Sequence, residues 1–267
     1  MRIKSRVKDL YYTGNNDSDV VFVVVHGGPG AGFSSLRDME GIEEIENYYQ
    51  FVYYDQCIVN LTPKKITKSQ LVEELSKVID TVSIKFPHKK IVLFSVSFGC
   101  LISLLTFEKT SVAKRLSGIV LCSPFVYKNK EEGANKFNLM VKEFVGDSFF
   151  KLSISKFISL KNFDSKPLKL IYKLLGKEGN LPRHIAQVSD WMYEQELSDG
   201  LNNVDIPILI IQGENDKFSV ENDVEMYVKD KNLDIDYEKI AKSGHDVPKD
   251  SPYFFELAVT EFIDGKL

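Results

Sequence analysis

Six consecutive apolar residues, Val20 to Val25, are the feature that most limits how this chain can fold. A strand built from such a run is buried on both faces, which is typical of a central strand in a parallel sheet covered by helices. Apolar strand-like runs recur at 91–96, 116–122 and 206–211, and helical patterns separate the earlier ones. The order strand, helix, strand, helix, strand predicts an α/β fold with a mostly parallel central sheet and helices on both faces.

The alternation of strands and helices stops in one long segment. Residues 125–201 are lysine-rich and helical in pattern, and we interpret them as an inserted helical cap. Residues 1–124 and 202–267 then form the core domain. Within the core, the pattern predicts a capped helix starting near Thr67, and a helix over 32–49 that is broken near Gly41.

Composition excludes several classes of function. The 34 Lys and Arg residues nearly balance the 38 Asp and Glu residues, and no long basic block offers a nucleic-acid surface. No stretch approaches the roughly 18 apolar residues of a membrane span, and the N-terminus lacks a signal-like apolar run, so we expect a cytoplasmic protein. The three cysteines and four histidines lack disulfide-framework or metal-site spacing, so neither a metal nor a cofactor is expected.

A serine follows the apolar run at 91–96 directly. The segment Ser95-Val96-Ser97-Phe98-Gly99 stands between a strand and a helical pattern. A serine on such a tight turn is exposed to substrate, and the helix N-terminus behind it faces a developing oxyanion. We therefore predict that Ser97 is a nucleophile. Ser95 occupies the place where the usual G-x-S-x-G pattern has its first glycine.

Two further residues complete a catalytic set. Asp216 follows the strand at 206–212, and His245 follows the last predicted strand, 234–240. Ligand sites in parallel sheets lie at the carboxyl ends of strands, so Ser97, Asp216 and His245 are expected at one edge. His245 would take the proton of Ser97, and Asp216 would hold the imidazole in the required tautomer. Asp246 is adjacent to His245 and is the less suitable acid.

A glycine-rich loop, His26-Gly27-Gly28-Pro29-Gly30, follows the strand Val20–Val25. With it, the chain resembles the α/β-hydrolases, and the loop is similar to the HGGPG loop of the prolyl iminopeptidase-like group. The resemblance implies that the backbone amides of Gly28 and Phe98 form the oxyanion hole. Tyr54-Asp55-Gln56 matches the start of that group's D-Q-R-G-x-G-x-S stretch, but the residues 57–60 depart from it.

These residues predict a serine hydrolase that acts by acyl transfer on a small amide or ester, including short peptides. The first form is an aminopeptidase of the prolyl iminopeptidase type; the alternatives are a carboxylesterase or thioesterase, and a non-catalytic ligand-binding module on the same fold. Nothing in the sequence indicates an oligomeric state.

One stretch of the predicted cap combines aromatic and acidic side chains suited to a free N-terminal ammonium. We predict that it faces the site; the alternative is a helix whose aromatic rings pack inside the cap and whose carboxylates point into water. Its predicted binding residues are Trp191, Tyr193, Glu194 and Glu196.

Overall fold

Seven strands form one sheet in a computed structural model that describes residues 10–59, 65–107, 110–124, 188, 191, 205–216, 221–230 and 235–267. The sheet order is β1-β3-β2-β4-β5-β6-β7, with β1 antiparallel to β3 and every other neighbouring pair parallel. The strands are β1 (Tyr11–Gly14), β2 (Val20–Val25), β3 (Gln50–Tyr53), β4 (Lys90–Val96), β5 (Gly118–Cys122), β6 (Ile208–Gly213) and β7 (Asp236–Ile240).

Helices cover both faces of the sheet. One face packs against α3, α4, α5 and α6, and the other packs against α1, α2, α7 and α8. The helices are α1 (Ser34–Arg37), α2 (Glu40–Glu46), α3 (Lys68–Lys85), α4 (Phe98–Phe107), α5 (Thr110–Ala113), α6 (Glu221–Asp230), α7 (Val247–Asp250) and α8 (Pro252–Lys266), with a short 3₁₀ turn at Cys57–Val59. The predicted α/β architecture is confirmed.

The central strand β2 shows why this fold forms. All six of its residues are buried, and successive side chains enter opposite core clusters. Val21, Val23 and Val25 pack on the α3 and α4 side, while the other three residues pack on the α2 and α8 side. A strand with water on one face would need polar residues at every second position, and β2 has none.

The predicted start of α3 is confirmed in detail. The Thr67 hydroxyl accepts a hydrogen bond from the Gln70 amide at 3.3 Å, and the Gln70 side chain accepts one from the Thr67 amide at 2.9 Å. This capping box satisfies two amides that the first helical turn leaves without partners.

The predicted break near Gly41 is confirmed, and it lies two residues before the glycine. The chain forms two short helices, and it leaves the helical conformation at Asp38 and Met39, where the Met39 backbone is extended at φ −89° and ψ 129°. Gly41 lies inside α2 and is buried. A Cβ there would lie 2.7 Å from the Pro248 carbonyl oxygen, so the lack of a side chain at Gly41 allows α7 to pack against α2. The glycine does not end a helix.

Most of the predicted cap lies outside the described residues, so its helical structure and its boundaries stay a prediction. Val188 and Trp191 are the described positions in it. Both are helical; Val188 is fully buried in the core cluster on the α3 and α4 side, and Trp191 packs against that cluster. None of the helices within the described ranges is long and apolar enough to cross a membrane.

Candidate active site

Ser97 stands on the turn that joins β4 to α4. Its φ is +52°, a left-handed conformation that few residues other than glycine adopt and that is enriched at functional sites. Its amide donates a hydrogen bond to the Cys122 carbonyl oxygen at 3.0 Å, which ties the turn to the end of β5. Ser97 is partly exposed while Val96 and Phe98 on either side are buried, so the turn presents this side chain at the carboxyl edge of the sheet.

Gly99 allows α4 to begin against the end of β2. A Cβ at this position would lie 2.0 Å from the Val25 carbonyl oxygen and 2.9 Å from that of His26. The close approach brings the first turn of α4 beside the glycine loop. Phe98 is the first residue of the helix, where backbone amides have no partner within the helix, so its N–H is available to an oxyanion.

The glycine loop runs directly beside Ser97. A Cβ on Gly27 would lie 3.3 Å from the Ser97 Cβ. Gly28 has a φ of +126°, and a Cβ there would lie 2.5 Å from the Gly30 nitrogen and 2.7 Å from the Ala31 nitrogen, so a side chain has no room. The loop therefore passes Ser97 at Gly27, the residue before Gly28, and the oxyanion role of the Gly28 amide stays a prediction.

The segment after β3 anchors both ends of this loop. The Gln56 amide donates to the His26 Nε2 atom at 3.1 Å, and the Gln56 side chain donates to the His26 carbonyl oxygen at 2.8 Å. Because Nε2 accepts, His26 is assigned as the tautomer protonated at Nδ1, which lies 2.9 Å from the Gly27 carbonyl oxygen. At the other end, Asp55 accepts a hydrogen bond from the Phe33 amide at 2.9 Å. The Asp-Gln pair thus fixes the loop at two points.

Asp216 and His245 meet at the same edge. The His245 Nδ1 atom lies 2.9 Å from the Asp216 Oδ2 atom, with the Asp216 side chain fully buried and the His245 side chain 18% exposed. Asp216 sits in the turn after β6, where its amide donates to the Gly213 carbonyl oxygen at 3.1 Å. A carboxylate on Nδ1 leaves Nε2 as the ring nitrogen for proton transfer.

The end of β5 links the serine to the histidine. Ser97 bonds to Cys122 as described above, and the next residue, Ser123, donates its hydroxyl to the His245 carbonyl oxygen at 2.6 Å. The Ser123 amide also donates to the Ile211 carbonyl oxygen of β6 at 2.8 Å. Two consecutive residues therefore hold the nucleophile turn on one side and the histidine loop on the other.

The departure from the glycine pattern at Ser95 is accommodated inside the core. Ser95 is fully buried, and its hydroxyl lies 2.6 Å from that of Ser103 on α4, which is buried as well. Two thiols also lie near the turn, and burial raises the pKa of Cys100 and of Cys122 above the usual range. Both stay protonated near neutral pH, so neither competes with Ser97 as a nucleophile.

Trp191 lies beside the site and packs on the core domain. Its indole N–H donates to the Ile66 carbonyl oxygen at 2.9 Å, and its ring centroid is 6.3 Å from that of Phe98, the residue after Ser97. The other predicted binding residues of this stretch lie outside the described residues: Tyr193, Glu194 and Glu196. Substrate binding by the four residues stays a prediction.

Gln212 and Ser123 are two polar residues beside the site for which the sequence patterns gave no prediction. The Gln212 Nε2 atom donates to the Asp216 Oδ2 atom at 2.6 Å, and Ser123 holds the His245 loop. A signal for both was present, since each is a polar residue at the carboxyl end of an apolar strand. Among the described residues, no group of three or more His, Cys, Asp or Glu side chains is placed to hold a metal ion.

Comparison with solved structures places this fold among the α/β-hydrolases. An esterase from Thermogutta terrifontis superposes with a TM-score of 0.67 at 19% identity, over 96% of this chain and 93% of that chain. A proline iminopeptidase-related protein from Thermus thermophilus has a TM-score of 0.63 at 20% identity, over 96% of this chain and 94% of that chain. A carboxylesterase from Bacillus subtilis has a TM-score of 0.59 at 14% identity, over 97% of this chain and 88% of that chain.

Sequence comparison assigns the chain to a family as well as to a fold. A search of curated proteins finds no significant match. The sequence profile of the family described as serine aminopeptidase, S33, matches residues 67–252, which is more than half of the chain and spans Ser97, Asp216 and His245. The chain therefore belongs to the S33 serine aminopeptidase family of hydrolases.

Proposed function

We propose that this hydrolase cleaves a small ester or amide through an acyl-enzyme formed on Ser97. The observation that carries the proposal is the 2.9 Å contact between His245 and Asp216 at the edge where the Ser97 turn projects. The three residues occupy the carboxyl ends of strands, and their chain order of Ser, Asp and His is that of α/β-hydrolase triads. In this proposal Ser97 is the nucleophile, His245 is the base that takes its proton, and Asp216 orients the base.

In the first half of the reaction, the Ser97 hydroxyl oxygen attacks the substrate carbonyl carbon and its proton passes to His245 Nε2. The amides of Gly28 and Phe98 stabilise the negative charge that develops on the carbonyl oxygen. Collapse of this intermediate expels the alcohol or amine, which takes the proton from His245. The acyl group is then bound to Ser97 as an ester.

In the second half, water attacks the acyl carbon while His245 removes one of its protons. The carboxylic acid leaves, and the proton returns to the Ser97 oxygen, so that the enzyme is restored. Asp216 keeps the imidazole oriented throughout and stabilises its charged form. The environment of Asp216 supports this role, because its carboxylate is buried and bonded to the histidine.

We propose an aminopeptidase of the prolyl iminopeptidase type as the first form to test, because the HGGPG loop and the S33 family profile both support it. That activity requires a site for the substrate ammonium, for which we propose Glu194 or Glu196. Only one of them would bind the amine if the segment is helical, because residues two apart do not share a helix face. A carboxylesterase lacks this requirement. Aminoacyl arylamides tested against p-nitrophenyl esters of graded chain length separate the two.

Substitution of the nucleophile and the acid tests the mechanism. Ser97→Ala should lower kcat by roughly 10⁴ to 10⁶ fold, and Asp216→Asn by about 10⁴ fold, because the asparagine stabilises the wrong imidazole tautomer. A fluorophosphonate probe should label Ser97 in the parent enzyme, as located by peptide mapping. Steady-state kinetics on the best ester or arylamide measures both losses.

Two matched substitutions serve as controls. Asp246→Asn changes the neighbouring acid and should affect kcat only mildly, while Ser95→Ala should leave the fluorophosphonate adduct on Ser97. Equal losses from Asp216→Asn and Asp246→Asn would show that the acid is misassigned. An adduct on Ser95, or one that survives Ser97→Ala, would overturn the nucleophile.

A further inference from the structure

Three glutamines in the described part of the chain are buried in an unusual way. Gln50, Gln56 and Gln212 are each at most 1% exposed, and the Oε1 atom of each has no hydrogen-bond partner there. Their side-chain NH₂ groups are all engaged: with the Thr13 carbonyl oxygen, the His26 carbonyl oxygen and the Asp216 carboxylate, respectively. An unpaired buried acceptor destabilises a fold, so the presence of these side chains needs an explanation. We looked for it in the group that accepts the hydrogen bond of each side-chain NH₂.

Gln212 donates to a functional group. It lies near the end of β6, four residues before Asp216, and its Nε2 atom is 2.6 Å from Asp216 Oδ2. The same oxygen atom is 2.9 Å from His245 Nδ1. One carboxylate oxygen therefore accepts from two donors, and its orientation is fixed by the strand as well as by the imidazole.

We propose that Gln212 is a positioning residue for catalysis: through Asp216 it fixes the orientation of the His245 imidazole. This inference rests on the proposed function. The amide N–H holds Oδ2 in the position where it accepts from His245 Nδ1. It also blocks rotation of the carboxylate, which would otherwise weaken the bond to Nδ1.

Other titratable groups surround the pair but do not change with Gln212. Asp246 and Asp250 come from the loop and helix that follow His245, and Asp250 accepts a hydrogen bond from the Gly244 amide at 2.8 Å. Cys122 lies at the end of β5, and Glu214 lies in the turn before Asp216, where it accepts from the Lys242 amide at 3.0 Å. A substitution at position 212 leaves these groups in place.

The decisive experiment reads the His245–Asp216 hydrogen bond without using activity. The low-field proton NMR signal of His245 Nδ1–H is assigned by its loss in His245→Gln, and is then compared in the parent and in Gln212→Met. Methionine matches the length of glutamine and has no N–H, so we expect the signal to shift and to broaden as its exchange with water increases. Gln212→Asn keeps an amide that is one methylene too short, and should give the same change.

Gln50→Met is the matched control, because it removes the same kind of buried amide at the amino end of β3. It should lower the melting temperature without moving the Nδ1 signal. An unchanged signal in both Gln212 variants, or an equal shift in Gln50→Met, would overturn the proposal. Loss of folding in Gln212→Met leaves Gln212→Asn to decide.

Kinetics gives the second readout. Gln212→Met should lower kcat by about 10-fold with KM little changed, because an Asp216 carboxylate that is no longer held in place orients His245 less well for proton transfer. An unchanged kcat in Gln212→Met, or an equal loss of kcat in Gln50→Met, would mean that Gln212 acts only on stability, against the proposal. If Ser97 of the parent is not labelled while the NMR signal responds as expected, the proposed function fails and the Gln212 coupling stands.

Discussion

At position 95 this chain carries a hydroxymethyl group where the usual nucleophile turn has the hydrogen atom of a glycine. The group is buried, and its partner is the Ser103 hydroxyl at 2.6 Å. Neither hydroxyl is exposed to water, so each depends on the other for a hydrogen bond to a side chain. The two serines are thus expected to be energetically coupled.

A double-mutant cycle measures this coupling. Ser95→Ala or Ser103→Ala alone should lower the free energy of unfolding by about 1–3 kcal/mol, since each leaves a buried hydroxyl without its partner. The double variant should lose less than the sum, by about 1 kcal/mol or more. Urea unfolding of the four proteins gives the values. Strict additivity would show that the pair is not a unit.

Residues of the candidate active site can be predicted from the sequence only where a recognisable strand comes before them in the chain. Ser97, Asp216 and His245 were assignable because each follows a strand, and parallel strands end at one edge. The partners of Gln212 and Ser103 are set by the packing of strand, turn and helix, which no local pattern reports. Val20 to Val25 shows the opposite case, where the residues alone require burial on both faces.

At the scale of elements, the contact between α4 and β2 sets where Ser97 stands. Gly99→Ala would place a methyl group 2.0 Å from the Val25 carbonyl oxygen, so the helix must shift. We expect a loss of about 3 kcal/mol in the free energy of unfolding, together with a drop in kcat, because Ser97 moves with the helix.

Gly265→Ala is the matched control for this change. Gly265 lies in α8, and a Cβ there has no heavy atom within 4 Å, so the higher helix propensity of alanine should stabilise the protein by up to about 1 kcal/mol. Thermal and urea unfolding test both variants. A harmless Gly99→Ala would mean that the close approach does not constrain the turn.

The boundary between α1 and α2 shows where local signals fail. Gly41 is a predicted helix breaker in the sequence, yet it lies within α2 because Pro248 and Phe255 pack where its side chain would be. The break at Met39 has no glycine or proline to mark it. Tertiary packing decided both positions, and packing is not visible in a run of 18 residues.

For the molecule as a whole, burial of weak acids predicts loss of stability in alkali. Burial raises the pKa of the Cys100 and Cys122 thiols, and it raises the pKa of Tyr49 and Tyr237 to about 12. In the unfolded chain the thiols ionise near pH 8.5 and the tyrosines near pH 10. Above those values the unfolded chain loses protons that the folded chain keeps, so unfolding is favoured as pH rises.

Each such group should lower the free energy of unfolding by about 1.4 kcal/mol per pH unit once its unfolded form is ionised. Urea unfolding from about pH 7 to 11 should therefore show a plateau below pH 8.5 and a steepening fall above it. Cys100→Ala or Cys122→Ala should flatten the first part of that fall.

The adjacency of β5 and β6 has a consequence for how this protein can diversify. The two strands pair directly and in parallel, from Ile119 with Ile208 to Cys122 with Ile211, although more than 80 residues of the sequence separate them. In general, each doubling of the length of a loop between two fixed ends costs only about 0.6 kcal/mol in closure entropy. The pairing of β5 with β6 therefore sets no narrow limit on the number of residues between the two strands, and an insertion there is expected to leave the sheet edge with Ser97 and His245 in place.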